Sequence, residues 1–150
     1  MHIDLQLLQY QHLLQLKTES GRRLIFDTVR RKWVVLQPEE TVRQLVIIYL
    51  LQDKQYNKNR IAVERGLRVN GLYKRCDILV YDRQMRPFML IECKAPDIPI
   101  TQATFRQIAN YNLPLQVPFL MVTNGPISYC CKMRYEQESF EFLEDIPFCD

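Results

Sequence analysis

Asp77 lies in "RCDILVYD", and Glu92 and Lys94 lie in "PFMLIECKAP". A carboxylate inside an otherwise apolar strand segment is costly unless it is paired, hydrogen-bonded or bound to a cation. In the second segment Phe88 to Ile91 read as a buried strand that runs into Glu92, Cys93 and Lys94. Strand side chains alternate, so Glu92 and Lys94 share one face and Cys93 takes the other. Two carboxylates at a sheet edge, with oxygens from phosphate and water, suit Mg²⁺, which takes hard oxygen ligands and keeps several waters. Such a cation polarises a phosphoryl oxygen and lowers the pKa of water. Lys94 beside it would stabilise the charge developing at phosphorus or orient the attacking water. This is phosphodiester hydrolysis without a histidine or a covalent nucleophile. The same residues would also make a buried ion pair of Lys94 with Asp77 or Glu92, and their types and spacing leave the two readings level.

The elements that must carry these residues follow from pattern. "HLLQLKTESGRRLIFD" reads as a hairpin turning at Glu19-Ser20-Gly21, and "KWVVL" as a further short strand. "QPEETVRQLVIIYLLQD" is a helix. Pro38 suits its first position, and Val42, Leu45, Val46, Tyr49 and Leu50 recur on one face. Next come three strands, "IAVERGLRV", "YKRCDILVYD" and "PFMLIECK", the first two joined at Asn70-Gly71. "TQATFRQIANYNL" is a helix capped by Thr101 and followed by Pro114. "PFLMVTNG" is a strand closed by Asn124-Gly125, and "ISYCCKMRYEQESFEFL" a closing hairpin. Three hairpin-linked strands, a crossover helix and another strand make a mixed sheet flanked by helices.

Composition narrows the function classes. With 150 residues, 47% of them hydrophobic and 25% charged, the chain reads as one globular domain over 1–150. No apolar run approaches the roughly 20 residues that cross a bilayer; the longest, Leu45 to Leu51, falls inside the first helix. The N-terminus has no basic n-region or cleavage site, so a cytoplasmic protein without membrane attachment is expected. Five cysteines without a CxxC pair read as reduced, mostly buried thiols. Neither GxGxxG nor GxxxxGK occurs, and His2 and His12 read as surface residues. All 20 Lys and Arg precede residue 136, whereas residues 136 to 150 hold six acids and no base. The basic body, dense in "RRLIFDTVRRK", suits a polyanionic partner; a solvated charged hairpin is the competing reading. Arg75, two residues before Asp77, would contact a phosphate or make a surface ion pair.

"RCDILVYD…PFMLIECKAP" resembles the PD-(D/E)XK nuclease signature, in particular the N-terminal nuclease domain of type I restriction enzyme R subunits. "PEETVRQ" and "MVTNG" are similar to landmarks of that family, and the resemblance spans about residues 25 to 125. It implies that Glu40 is the family's helical acid and a metal ligand with Asp77 and Glu92. From pattern alone, Glu40 at the third helical position would only complement the helix dipole. The resemblance further implies a role for Glu64 on the first strand. It makes Gln107 and Tyr111, four apart on one helix face, the Q-x-x-x-Y motif that supports DNA binding. The residue before Asp77 is Cys76 rather than proline, and no motor motif occurs. The chain therefore reads as a free-standing nuclease, a subunit needing a partner, or a remnant.

These readings set the expectations. The fold is α/β, a restriction-endonuclease-like three-layer domain with a mixed central sheet and N- and C-terminal β-hairpins. The function is a Mg²⁺-dependent DNA endonuclease, with Mn²⁺ able to substitute. Asp77, Glu92 and Lys94 would be catalytic; Asp77, Glu92 and Glu40 would hold metal; Gln107, Tyr111, Arg75 and Glu64 would support DNA. Partners would be DNA, a separate motor or specificity subunit, and a second copy of the chain. The alternative is a non-catalytic DNA-binding or interaction subunit, whose acidic tail would mimic phosphate or shield the basic surface.

Overall fold

Ser20 (φ 52°) and Gly21 (φ 76°) form the tight turn that joins β1 (Leu16–Glu19) to β2 (Arg22–Asp27) in a computed structural model that describes residues 2–149. Two successive positive-φ residues match the twist of a two-residue hairpin. β3 (Lys32–Val35) pairs antiparallel with β2, so the N-terminal unit is a three-stranded sheet rather than the expected hairpin. The segment before it also differs. Leu7–Leu13 forms a 3-10 helix that buries Leu7 and Tyr10, because those side chains pack against the first long helix.

That helix, α1 (Pro38–Gln52), starts with Pro38 in its first turn as predicted. Its residues 42 to 50 are all buried, well beyond the single stripe that periodicity predicts. The reason is position: α1 touches β2 on one side, the central sheet on another and the 3-10 helix on a third. A helix covered all round must take polar residues inside too, and Arg43 and Gln44 are buried with the aliphatics.

The central sheet runs β4 (Ile61–Val69), β5 (Leu72–Tyr81), β6 (Pro87–Cys93), β7 (Phe119–Thr123), β8 (Ser128–Arg134), β9 (Ser139–Phe142), in that spatial order. Only β6 and β7 are parallel. A parallel pair needs a crossover, and α2 (Gln102–Asn112) supplies it, with Thr101 and Thr104 exchanging the hydrogen bonds of a capping box. The mixed α/β architecture is the one expected. One core lies between the sheet and α1, around Ile47, Ile78 and Met89; the other lies under α2, around Leu79, Phe105 and Leu120.

Cys130 and Cys131 fall in opposite cores, as strand alternation requires. Burial pushes the Cys131 thiol up to about 12, so it packs as a small hydrophobe. The C-terminal hairpin is part of the main sheet rather than an addition to it. Phe142 of β9 lies 5.1 Å from the Phe105 ring, and Ile146 beyond it is 2% exposed. The acidic segment is thus seated by its apolar residues. Among the described residues no helix is long and apolar enough to cross a membrane.

Candidate active site

The sheet is deformed where Asp77 sits. β4 and β5 pair at Val63↔Ile78 and again at Arg65↔Cys76, but Glu64 and Asp77 between them do not bridge. Glu64 takes a left-handed backbone (φ 51°), unusual for a residue with a side chain. Irregularities of this kind re-aim side chains and gather at functional sites. On the other side of β5 the ladder to β6 ends at Ile78↔Ile91. The backbone N–H of Cys93 then donates to Asp77 Oδ2 at 2.8 Å, so a side-chain oxygen replaces the missing strand carbonyl.

Toward α1, Asp77 Oδ1 accepts from Arg43 Nη2 at 3.2 Å. Arg43 is 5% exposed and is gripped by several acids. Its Nη1 donates to Glu40 Oε1 at 3.0 Å and lies 3.4 Å from Glu64 Oε1. Burial alone would lower the guanidinium's pKa; Glu40 and Asp77 outweigh it and raise the value. Arg30, from the turn between β2 and β3, adds a second cation, 2.7 Å from Asp27, 3.2 Å from Glu64 and 3.5 Å from Glu40. Gln44 donates to the second oxygen of Glu40 at 3.0 Å. Glu40 sits at the third helical position, but its carboxylate serves this buried network and not merely the helix dipole.

Toward α2, the pleat puts Glu92 and Lys94 on one side, lining a cavity of about 190 Å³ with Lys74, Gln107, Ile108, Tyr111 and Asn112. The Lys94 N–H bonds to Thr123 O at 2.8 Å, extending the β6–β7 ladder by one residue and fixing that backbone. No carboxylate among the described residues lies within ion-pair distance of the Lys94 ammonium. The ion pairs that sequence reading offered to Lys94 are made by other residues: Arg43 takes Asp77, and Lys74 Nζ stands 3.2 Å from Glu92 Oε1. Lys74 also lies over the Tyr111 ring, 4.8 Å from its centre. Gln107 and Tyr111 reach the same cavity from α2, and Tyr111 is 67% exposed.

Glu92 is 8% exposed. Burial, then the neighbouring Asp77 carboxylate, raise its pKa to about 7 against the opposing pull of Lys74. Its Oε1 is buried with no hydrogen-bond donor, the Lys74 contact being ionic without hydrogen-bond alignment. Among the described residues no three of His, Cys, Asp and Glu group closely enough to hold a metal by themselves. Mg²⁺ needs only one or two carboxylates, and the neighbouring Asp77 and Glu92, the latter buried with Lys74 as its cation, fit that need. Glu40 approaches from α1 and shares the Arg43 guanidinium with Asp77. Arg75 is exposed and pairs with Glu64 at 3.3 Å, the surface ion pair that was one of its two readings.

Sequence reading missed Arg43, Lys74 and Arg30. Arg43 had a signal, a lone cation at the head of the apolar run "LVIIYLL", one turn after Glu40. Lys74 and Arg30 had none, since both are recruited by tertiary placement.

The family model for the type I restriction enzyme R protein N terminus matches residues 38–147. The chain belongs to this family. Its fold is similar to that of a fragment described as an HsdR subunit of a type I restriction enzyme from Vibrio vulnificus YJ016, with a TM-score of 0.51 and 20% identity over 75% of this chain. The chain spans 24% of the length of that structure. No curated protein matches. The matched residues of the R protein N-terminal family run from the first residue of α1 past β9, so they include the deformed strand, the Arg43 network and the Glu92–Lys94 cavity.

Proposed function

We propose that this chain is a metal-dependent DNA endonuclease domain of the PD-(D/E)XK type. The observation that carries the reading is the Lys94 ammonium. It is held on the Glu92 face of β6, reaches a shared cavity and has no carboxylate partner among the described residues. A structural lysine in such a place would be paired; an unpaired one is available to a phosphate. Asp77 and Glu92 would hold Mg²⁺ or Mn²⁺, which when bound supplies Lewis acidity toward a phosphoryl oxygen and toward water. Lys94 would balance the charge that develops on the phosphoryl oxygens. Gln107 and Tyr111 would orient the DNA backbone at the cavity mouth. Arg43, Arg30, Glu40 and Glu64 would hold Asp77 in place from behind.

Supercoiled, linear and single-stranded DNA incubated with the protein and its Lys94→Ala variant, in Mg²⁺, Mn²⁺ or EDTA, tests this. Metal-dependent cleavage lost in the variant is the expected result. Cleavage that survives Lys94→Ala, or survives EDTA, rejects it.

A second reading is a non-catalytic DNA-binding or interaction piece of a larger assembly with a motor or specificity subunit, or with a second copy. It is favoured by Arg43, a cation of the chain's own that already neutralises Asp77 and Glu40. DNA binding without cleavage by the wild type, whose strength falls steeply with salt, would select it.

A further inference from the structure

Strands β5 and β6 pair no further than Ile78↔Ile91. Past that point Lys74 of β5 meets Glu92 of β6 through side chains, Nζ to Oε1 at 3.2 Å, at the wall of the cavity that Lys94 also lines. Each carboxylate of the candidate metal pair thus has a cation of its own, and the two cations are held differently. Arg43, on Asp77, also reaches Glu39, Glu40 and Glu64, and its side chain is 6% exposed. Lys74 has Glu92 as its one carboxylate among the described residues, and its side chain is 23% exposed. Its other neighbour is the face of the exposed Tyr111, 4.8 Å from the ring centre. An ammonium is a point charge on a flexible stem, whereas a guanidinium is fixed by its fork. Lys74 can therefore leave with one ion pair lost, where Arg43 would lose several.

We propose that Lys74 is the resident counter-ion of the candidate metal site, one that gives up Glu92 when a divalent cation binds and then holds a DNA phosphate beside Tyr111. The inference rests on the nuclease reading and deepens it by adding a second lysine with a role different from that of Lys94. Burial makes a bare Glu92 carboxylate costly, so the metal-free protein needs a cation there. A divalent cation on Asp77 and Glu92 supplies that charge, and two cations on one carboxylate repel. The Lys74 ammonium then settles on the Tyr111 face that it already touches. There, with Lys94 and Gln107 on the same cavity, it meets the phosphate backbone. Metal and DNA strengthen each other's binding through this one side chain. A lysine kept only to hold Glu92 in place predicts the opposite, because its loss would disorder the ligand and weaken metal binding.

Mn²⁺ binding to the full chain is followed by electron paramagnetic resonance without DNA, at alkaline pH so that protons do not compete for the carboxylates. Lys74→Met should bind Mn²⁺ about fivefold tighter than the wild type, the size of one part-exposed ion pair no longer displaced. Lys74→Arg should bind it no tighter than the wild type. Affinity for a short labelled DNA duplex is then measured by anisotropy against salt, in EDTA and in Ca²⁺, a hard cation of the same ligand class. In Ca²⁺ Lys74→Met should bind DNA more weakly, with a salt slope smaller by about one phosphate contact. In EDTA its slope should match the wild type, and Lys74→Arg should keep the wild-type slope in Ca²⁺. Lys74→Gln carries the same predictions should Lys74→Met melt early. Equal or weaker Mn²⁺ binding by both neutral variants, where the wild type binds, overturns the proposal and leaves the nuclease reading standing. So does a salt slope in Ca²⁺ that the neutral variants leave unchanged. No Mn²⁺ binding by the wild type and the neutral variants alike removes the metal centre, and both readings with it.

Discussion

Arg43 of α1 reaches Asp77 of β5 across 3.2 Å and holds it in a buried network with Glu40 and Glu64. A guanidinium at this depth survives because its carboxylates neutralise it, and each carboxylate survives because of the guanidinium. Removing one partner of a buried pair leaves the others unpaired, at a cost of about 3–5 kcal/mol. Arg43→Met is therefore expected to destabilise the fold by about that amount in urea unfolding. Replacing the cation from outside should recover part of it. Millimolar Mg²⁺ or Mn²⁺ should raise the variant's urea midpoint more than the wild type's, as a ligand of the folded state must. An equal shift in both proteins would show that Asp77 does not exchange its guanidinium for a metal.

Lys94 differs from Arg43 in having no ion pair to lose. Lys94→Ala should lower DNA cleavage by about 10²–10³-fold, the usual loss for one donor aimed at developing charge. Stability should move by no more than about 0.5 kcal/mol. A large fall in melting temperature with the activity loss would assign Lys94 to the fold instead.

Glu92 makes stability depend on pH, and the sign follows from its raised value. A carboxyl at about 7 when folded and near 4.5 when unfolded binds more protons in the folded state between those values. Its contribution to stability is full below about pH 4.5 and is lost as pH rises through about 7, by up to roughly 1.4 kcal/mol per unit within the window. Glu92→Gln should flatten unfolding free energy across that range. Lys74→Met, which removes the cation beside Glu92, should carry the decline to higher pH. Urea titrations at half-unit intervals from pH 5 to 8 would show both. An unchanged slope in Glu92→Gln would mean that another group controls it.

The element order was readable because each element announces itself locally. Two positive-φ turns, Ser20-Gly21 and Asn70-Gly71, sit where the glycines predict them, and Thr101 caps the helix that carries Gln107 and Tyr111. The shared side of Glu92 and Lys94 was legible for the same reason, since the pleat fixes it once the strand is placed. What was not legible is long-range. "IAVERGLRV" reads as a straight strand, yet Glu64 leaves the ladder because Arg43 and Arg30, from α1 and from a distant turn, draw its carboxylate inward. Which lysine would pair with Glu92 was equally hidden. Strand periodicity offers Lys94, two residues away, whereas the fold brings Lys74 from the neighbouring strand.

The acidic C-terminal segment offers a last test, because its charge and its packing predict different things. As a shield for basic surface, residues 136 to 150 could be removed with DNA affinity rising. The structure ties down the described residues among them: the Phe140 and Phe142 rings pack against Phe105, Lys54 bonds Asp145 at 3.1 Å, and Tyr56 donates to the Pro147 carbonyl. Ile146 is 2% exposed beneath them. Ile146→Ala should cost about 2–5 kcal/mol, as for other buried aliphatic truncations, and ending the chain at residue 138 should broaden or abolish the unfolding transition. Replacing Glu136, Glu138 and Glu144, which are exposed, by glutamine should leave the melting temperature nearly unchanged. The triple variant separates the two roles: it keeps the packing and removes charge. Unchanged DNA affinity there, with a destabilised Ile146→Ala, would make the tail a structural strap. A several-fold tighter complex would restore the shield.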